Sequence, residues 1–210
     1  MRIADLHPGA RVRVACRSSV GLLRSSALAL LCSTGLGVVT AHAQNATWVG
    51  GNGGDPNEWV EPNNWTPATV PIGTATFTNT GITTVMNDNG VVSVGAIQFT
   101  GTPNAQAYTI NVDNPFIINA AGVTNSSTNT QTFNIGDGNA LVFQNSSTAN
   151  NGSGSVIYNN SGTTEEPGSG FIDFENTSNA GNANTTITNN GVVQFNDSSS
   201  AGSATWGKSW

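Results

Sequence analysis

The 210-residue chain predicts an all-β protein built as a solenoid of parallel strands, and three observations carry that prediction. Short runs rich in β-branched and aromatic residues recur at 74–77, 91–94, 96–99, 108–112, 116–118, 131–135, 140–143, 155–158, 171–174, 185–188 and 192–195. Asn, Gly, Asp and Ser, which tolerate left-handed turns, separate them. Beyond residue 43 no stretch repeats apolar side chains at helical spacing over three turns, so helix content should be close to nil. Finally, residues 171–183 (FIDFENTSNAGNA) return as 192–204 (VVQFNDSSSAGSA), which sets Phe174 against Phe195 and Gly181 against Gly202, 21 residues on. Such a period without helix fits coils of two or three short strands, stacked about 4.8 Å apart, with apolar side chains inside and Asn or Thr ladders outside. About six coils fit between Pro71 and Thr205 at that rung spacing. A β-sandwich also has many short strands, but it has no reason to repeat at a fixed offset.

The elements follow in chain order. Residues 1–43 hold all five Arg, both Cys and both His, then an apolar run at 27–39, then Ala41-His42-Ala43. This is the pattern of a secretory signal peptide cut after Ala43. The run is too short, and too interrupted by Ser, Thr and Gly, to span a membrane. Residues 44–71 are Trp- and Gly-rich and read as a cap, residues 72–205 as the solenoid repeats, and 206–210 (WGKSW) as an aberrant tail that breaks the repeat. The stretch at 141–147 (LVFQNSS) opens like 171–183 but lies 31 residues ahead of it, so a longer turn is expected at 150–168.

From Gln44 on, Asn, Thr, Gly and Ser supply 88 of 167 residues, and eleven acids face one base, Lys208. The same residues contain no Arg, Cys or His. That excludes a His base, a Cys nucleophile, a thiolate or imidazole metal ligand, a disulfide and an Arg clamp. The negative balance also argues against nucleic acid or anionic lipid as a partner.

Residues 47–54 (TWVGGNGG), followed by Trp59, then Asn63-Asn64-Trp65-Thr66 and Pro71, resemble the opening of autotransporter passenger regions that carry autotransporter-associated β-strand repeats. The runs at 96–99 and 108–110 and the unit at 191–204 are similar to the repeats themselves. This resemblance implies a right-handed parallel β-helix, displayed on or released from a Gram-negative cell. It also implies an outer-membrane barrel, expected in the full-length protein beyond a truncation near residue 205.

Three groups of residues invite a chemical reading. Residues 50–58 (GGNGGDPNE) superficially match a calcium nonapeptide. The copy is single, however, and Asn57 stands where an apolar residue belongs, so the stretch reads as a Gly-rich turn. Asp173 and Glu175 share a strand face as a glycosidase pair would, but they flank the inward Phe174 and so read as solvated charges, as do Glu165 and Glu166. Trp48, Trp59 and Trp65 suit either a plug over the solenoid end or a platform for sugar rings. The expected function is therefore an exported, non-enzymatic surface solenoid with no cofactor or metal. Its role would be adhesion or display, with host or neighbouring-cell glycans or proteins as partners. A carbohydrate-binding module using the three Trp is the alternative.

Overall fold

Side-chain alternation dictates the architecture: a strand with every second residue apolar must bury one face, and one coil alone cannot do so. In the computed structural model, which describes residues 43–161 and 169–207, the strands alternate buried with half-buried positions and stack coil upon coil. The predicted leader, Glu165, Glu166 and Lys208 lie outside the described residues. The described residues all belong to one compact unit, Thr40–Trp210. Their only helical element is a 3-10 turn at Pro62–Asn64.

The strands are β1 (Ala46–Trp48), β2 (Trp65–Thr66), β3 (Thr74–Phe77), β4 (Thr84–Asn87), β5 (Val92–Phe99), β6 (Thr109–Val112) and β7 (Phe116–Asn125). They continue as β8 (Gln131–Ile135), β9 (Ala140–Phe143), β10 (Val156–Asn160), β11 (Phe171–Phe174), β12 (Thr185–Asn189), β13 (Val192–Phe195) and β14 (Thr205–Gly207). One sheet runs β13-β11-β9-β7-β5-β3-β1-β2 and the other β14-β12-β10-β8-β6-β4. Every pairing between these strands is parallel except β1 with β2. That is a β-solenoid of about six turns, and the parallel registers rule out the sandwich.

Two strands are longer than the sequence runs suggest, 8 residues in β5 and 10 in β7, because each passes round a corner without leaving the ladder. The β5–β7 register shifts between Val94 and Ala96, on either side of Gly95. The first segments of these strands (Val92 with Phe116) belong to one side of the coil, continued by β9, β11 and β13. Their second segments (Ala96 with Gly122) belong to another side, begun by β1 and β3 and continued by single bridges Gly122–Thr148, Thr148–Asn179 and Asn179–Ser200. With the six-stranded sheet, each coil therefore has three sides.

Aromatic side chains fill the interior. Phe143 and Phe174 stack at 5.0 Å and 9°, and Phe174 and Phe195 at 4.9 Å and 7°, so the repeat predicted from residues 171–204 is a pair of adjacent coils in register. Phe174 is wholly buried, whereas Phe195 is 37% exposed, because no further coil covers it among the described residues. At the corners, Asn145, Asn176 and Asp197 adopt left-handed φ of 58°, 57° and 56°. They sit one per coil, at steps of 31 and 21 residues, and each backbone N–H of the first two donates to the side chain of the next (2.9 and 3.0 Å). Asn and Asp tolerate this φ better than other side-chain-bearing residues, and here their side chains bind neighbouring coils.

Three predicted boundaries shift. Stacking begins at β1, inside the segment expected to be only a cap, because Ala46 and Thr47 already pair in parallel with β3. The last coil runs through Gly207, since Trp206 pairs with Ile187, so the expected tail at 206–210 begins two residues too early. The run predicted at 155–158 forms β10, a regular rung paired on both sides, so the longer turn expected over 150–168 is confined to less than that span.

Candidate functional site

The chemistry-bearing residues gather at the N-terminal coil, in the 49–64 segment between β1 and β2. Gly50, Gly51 and Gly53 have φ of 44°, 78° and 87°, which lets the chain fold back tightly. Asn64, fully buried, pins the loop: its Nδ2 donates to the carbonyls of Asp55 (2.7 Å) and Glu58 (3.0 Å), and its Oδ1 accepts from the Asn52 N–H (3.2 Å).

Glu58 then forms a parallel bridge with Met86 at the edge of the six-stranded sheet, which brings a carboxylate from the next coil alongside. Carboxylate oxygens of Asp55, Glu58 and Asp88 all lie within 4.8 Å of one another, with Asp55 and Asp88 exposed and Glu58 buried. Such hard oxygen donors suit calcium or magnesium, although three carboxylates supply fewer ligands than the six to eight that calcium usually takes. Glu58 also accepts two long bonds, from the Val60 and Asp88 N–H groups (both 3.4 Å). The Gly-rich match thus places two of the three acids. Asp88 carried no sequence signal, because only the Glu58–Met86 register puts it there.

Burial, reinforced by a hydrogen bond with the Asp88 side chain, raises the Glu58 pKa from 4.5 to about 7. The folded chain thus holds this proton more tightly than the unfolded one. The associated stabilisation is complete below pH 4.5 and is lost as pH rises through about 7. Raising pH from about 5 to 8 should therefore destabilise the wild-type fold by on the order of 1–2 kcal/mol, a figure discounted for the solvent reaching the exposed partners. Glu58→Gln should remove that slope. Denaturant melts across the pH range check it, and an equal slope in both proteins refutes it.

The three Trp close the coil end. Trp48 and Trp65 meet edge-on at 5.0 Å, Trp59 and Trp65 at 4.9 Å, and Trp59 packs on Phe116 at 4.8 Å. Their exposures are 0, 0 and 1%, so none offers a ring face to a sugar, and the platform expected as the alternative has no accessible surface here. The indole N–H of Trp48 donates to the Ile82 carbonyl (2.8 Å) and that of Trp65 to the Trp59 carbonyl (2.7 Å), while that of Trp59 has no partner. Replacing each with Phe removes similar volume, but only two of the changes lose a bond. Trp59→Phe should accordingly cost about 1 kcal/mol less than Trp65→Phe in urea melts; equal costs would show that these bonds contribute nothing.

Asp173 and Glu175 each meet an amide of a neighbouring coil. Asp173 accepts from Asn196 Nδ2 (2.7 Å) and Glu175 from Gln144 Nε2 (3.0 Å), so each is tied to a neighbouring coil rather than left as a purely solvated charge. Partial burial and the nearby Glu175 charge raise the Asp173 pKa, against the bond from Asn196. Among the described residues no helix is long and apolar enough to cross a membrane. Set beside known protein families, curated proteins and solved structures, the chain matches none of them.

Proposed function

We propose that the chain is an exported, non-enzymatic solenoid, the passenger part of an autotransporter-like protein, and that it works by contact: adhesion or display at a cell surface. The observation that carries this reading is how the polar side chains are used. Asn134 Nδ2 donates to Asn111 Oδ1 (2.9 Å) and Asn159 Nδ2 to Asn134 Oδ1 (3.0 Å), and Asn160 Nδ2 reaches Asn189 Oδ1 (2.7 Å), so amides are spent tying coil to coil. Such a chain invests its polar chemistry in ties between coils that leave continuous lateral faces, which suits presentation and contact rather than turnover. The leader pattern at residues 1–43 and the lack of Arg, Cys and His after it support export and a non-catalytic role. Attachment to the outer membrane would come from a barrel in the full-length protein. Partners would be proteins or glycans of a host or neighbouring cell.

Two measurements test this. Expressed in a Gram-negative host, the chain should be recovered outside the cytoplasm with Gln44 as its first residue; retention with residues 1–43 intact overturns the export reading. Cells displaying residues from Gln44 on should adhere to one another or to host cells more than undecorated cells, without depolymerising a panel of polysaccharides. Turnover of any of these would replace contact with catalysis.

A further inference from the structure

One side of the coil differs from the other two. The side bearing Thr47, Thr76, Gln98 and Thr124 is polar outside, and so is the one bearing Asn111, Asn134 and Asn159. On the third side, formed by the start of β5, the start of β7, then β9, β11 and β13, most outward positions are apolar, and Ser93, Asp173 and Gln194 are the polar ones, level with Ile117 and Val142. Ile117 pairs with Val142, and Phe171 with Val192. Val91 and Pro115 directly precede the paired Val92 and Phe116. Their inward neighbours Val92, Phe116, Ile118 and Leu141 are buried, so alternation points these six outward. Val91 is 63% exposed, Pro115 is exposed and the other four are half-buried.

Along the corner that leads into this side stands a row of exposed acids. Asp113 lies one coil on from Asp88, its N–H donating to the Asn87 carbonyl (3.1 Å), and Asp137 follows in the next coil, where Gly136 N–H donates to the Val112 carbonyl (3.1 Å). No Lys or Arg occurs anywhere between residues 44 and 207 to balance them.

We infer that this apolar stripe with its acidic margin docks a protein partner through an amphipathic helix that has aliphatic side chains on one face and Lys or Arg along the adjoining flank. The inference rests on the contact reading above and names the face and the partner's chemistry. Five coils, Val91 to Val192, span about 19 Å at the usual rung spacing, the length of about thirteen residues of helix. A helix laid on a sheet buries its apolar stripe against the sheet's own. The charge row selects a cationic flank and repels an acidic one or an anionic membrane.

The test uses the 210-residue chain and a labelled synthetic helix with a Leu face and a Lys flank, followed by fluorescence anisotropy. The Lys helix should bind, more weakly as salt rises. The same helix with Glu in place of Lys should bind at least about tenfold more weakly. The double variant Ile117→Lys/Phe171→Lys should lose binding, whereas Gln98→Lys, on another side, should keep it. Asp113→Asn/Asp137→Asn should weaken binding and flatten its salt dependence. If the double Lys variant fails to fold, as judged by circular dichroism, Val142→Lys alone replaces it. Equal binding of the Glu helix, unchanged binding by the folded Lys variants, or comparable binding to phosphatidylglycerol vesicles each overturns the proposal. If displaying cells adhere but the Lys helix does not bind, this inference fails and the contact reading stands. Helix binding without adhesion fails the contact reading alone.

Discussion

Phe174→Ala is expected to cost about 3–5 kcal/mol, measured by urea denaturation, whereas Phe195→Ala should cost less than half as much. Both belong to the same repeat unit and stack face to face at 4.9 Å. Phe174, however, is sandwiched between Phe143 and Phe195 and is wholly buried, so truncation leaves a cavity walled by rings that have no room to collapse. Phe195 has Phe174 stacked on one side, meets only the edge of the exposed Trp206 besides (5.9 Å), and keeps 37% of its surface in contact with solvent. A charge exposes the contrast further: Phe174→Asp should prevent folding, while Phe195→Asp should leave a protein that still melts cooperatively. Equal costs for the two Ala variants would mean that another coil covers Phe195. From the sequence both rings were expected inside, because the repeat says which residues share a column and nothing about where the column is covered.

Gly122→Ala is expected to destabilise by about 3 kcal/mol or more, and Gly90→Ala by no more than about 0.5 kcal/mol in either direction. Gly122 has φ of 86°, and a Cβ there would lie 2.1 Å from the Thr148 carbonyl oxygen and 2.3 Å from its nitrogen. Those are backbone atoms of the neighbouring coil, held by the bond from Val123 N–H to the Thr148 carbonyl (2.8 Å), so neither can move without opening the ladder. Beyond β7 this side of the coil continues only through single bridges at Thr148, Asn179 and Ser200, and that continuation starts from this contact. Around a Cβ at Gly90 nothing lies within 4 Å, and replacing a flexible Gly there trims only unfolded-chain entropy. Thermal melts of the two variants give the comparison. A tolerant Gly122→Ala would show that the β7 corner is not the close approach described.

Much of the fold was legible because a stacked coil repeats its own pattern. Phe143, Phe174 and Phe195, each closing an apolar run, announced one column and the steps of 31 and 21 residues that the Asn145–Asn176–Asp197 corners reproduce. β1, β2 and β14 were not read as strands, since two or three residues are too few to show any period, and β4 was missed although it is as long as β3; each lies in the ladder of the strand beside it. The acidic trio was half legible. The Gly-rich turn drew attention to Asp55 and Glu58, but Asp88 lies thirty residues from Glu58 and joins only through a ladder register. The outward stripe was invisible for a related reason: Ile117, Val142 and Phe171 look like core residues until the strand phase decides which neighbour points inward.

The sequence by itself determined the class of the described residues: stacked short strands, no helix of consequence among them, and a chain stripped of Arg, Cys and His after residue 43. Those features follow from local composition and a period, which the linear order displays directly. Only the tertiary structure decided that each coil has three sides, that the Trp rings face one another rather than a ligand, and that one side is apolar outside with acids along its edge. Each of these depends on register, and register is set where coils meet, between residues such as Asn111 and Asn134 or Asn134 and Asn159 that lie outside the 171–204 repeat and carry no mark of one another in the chain.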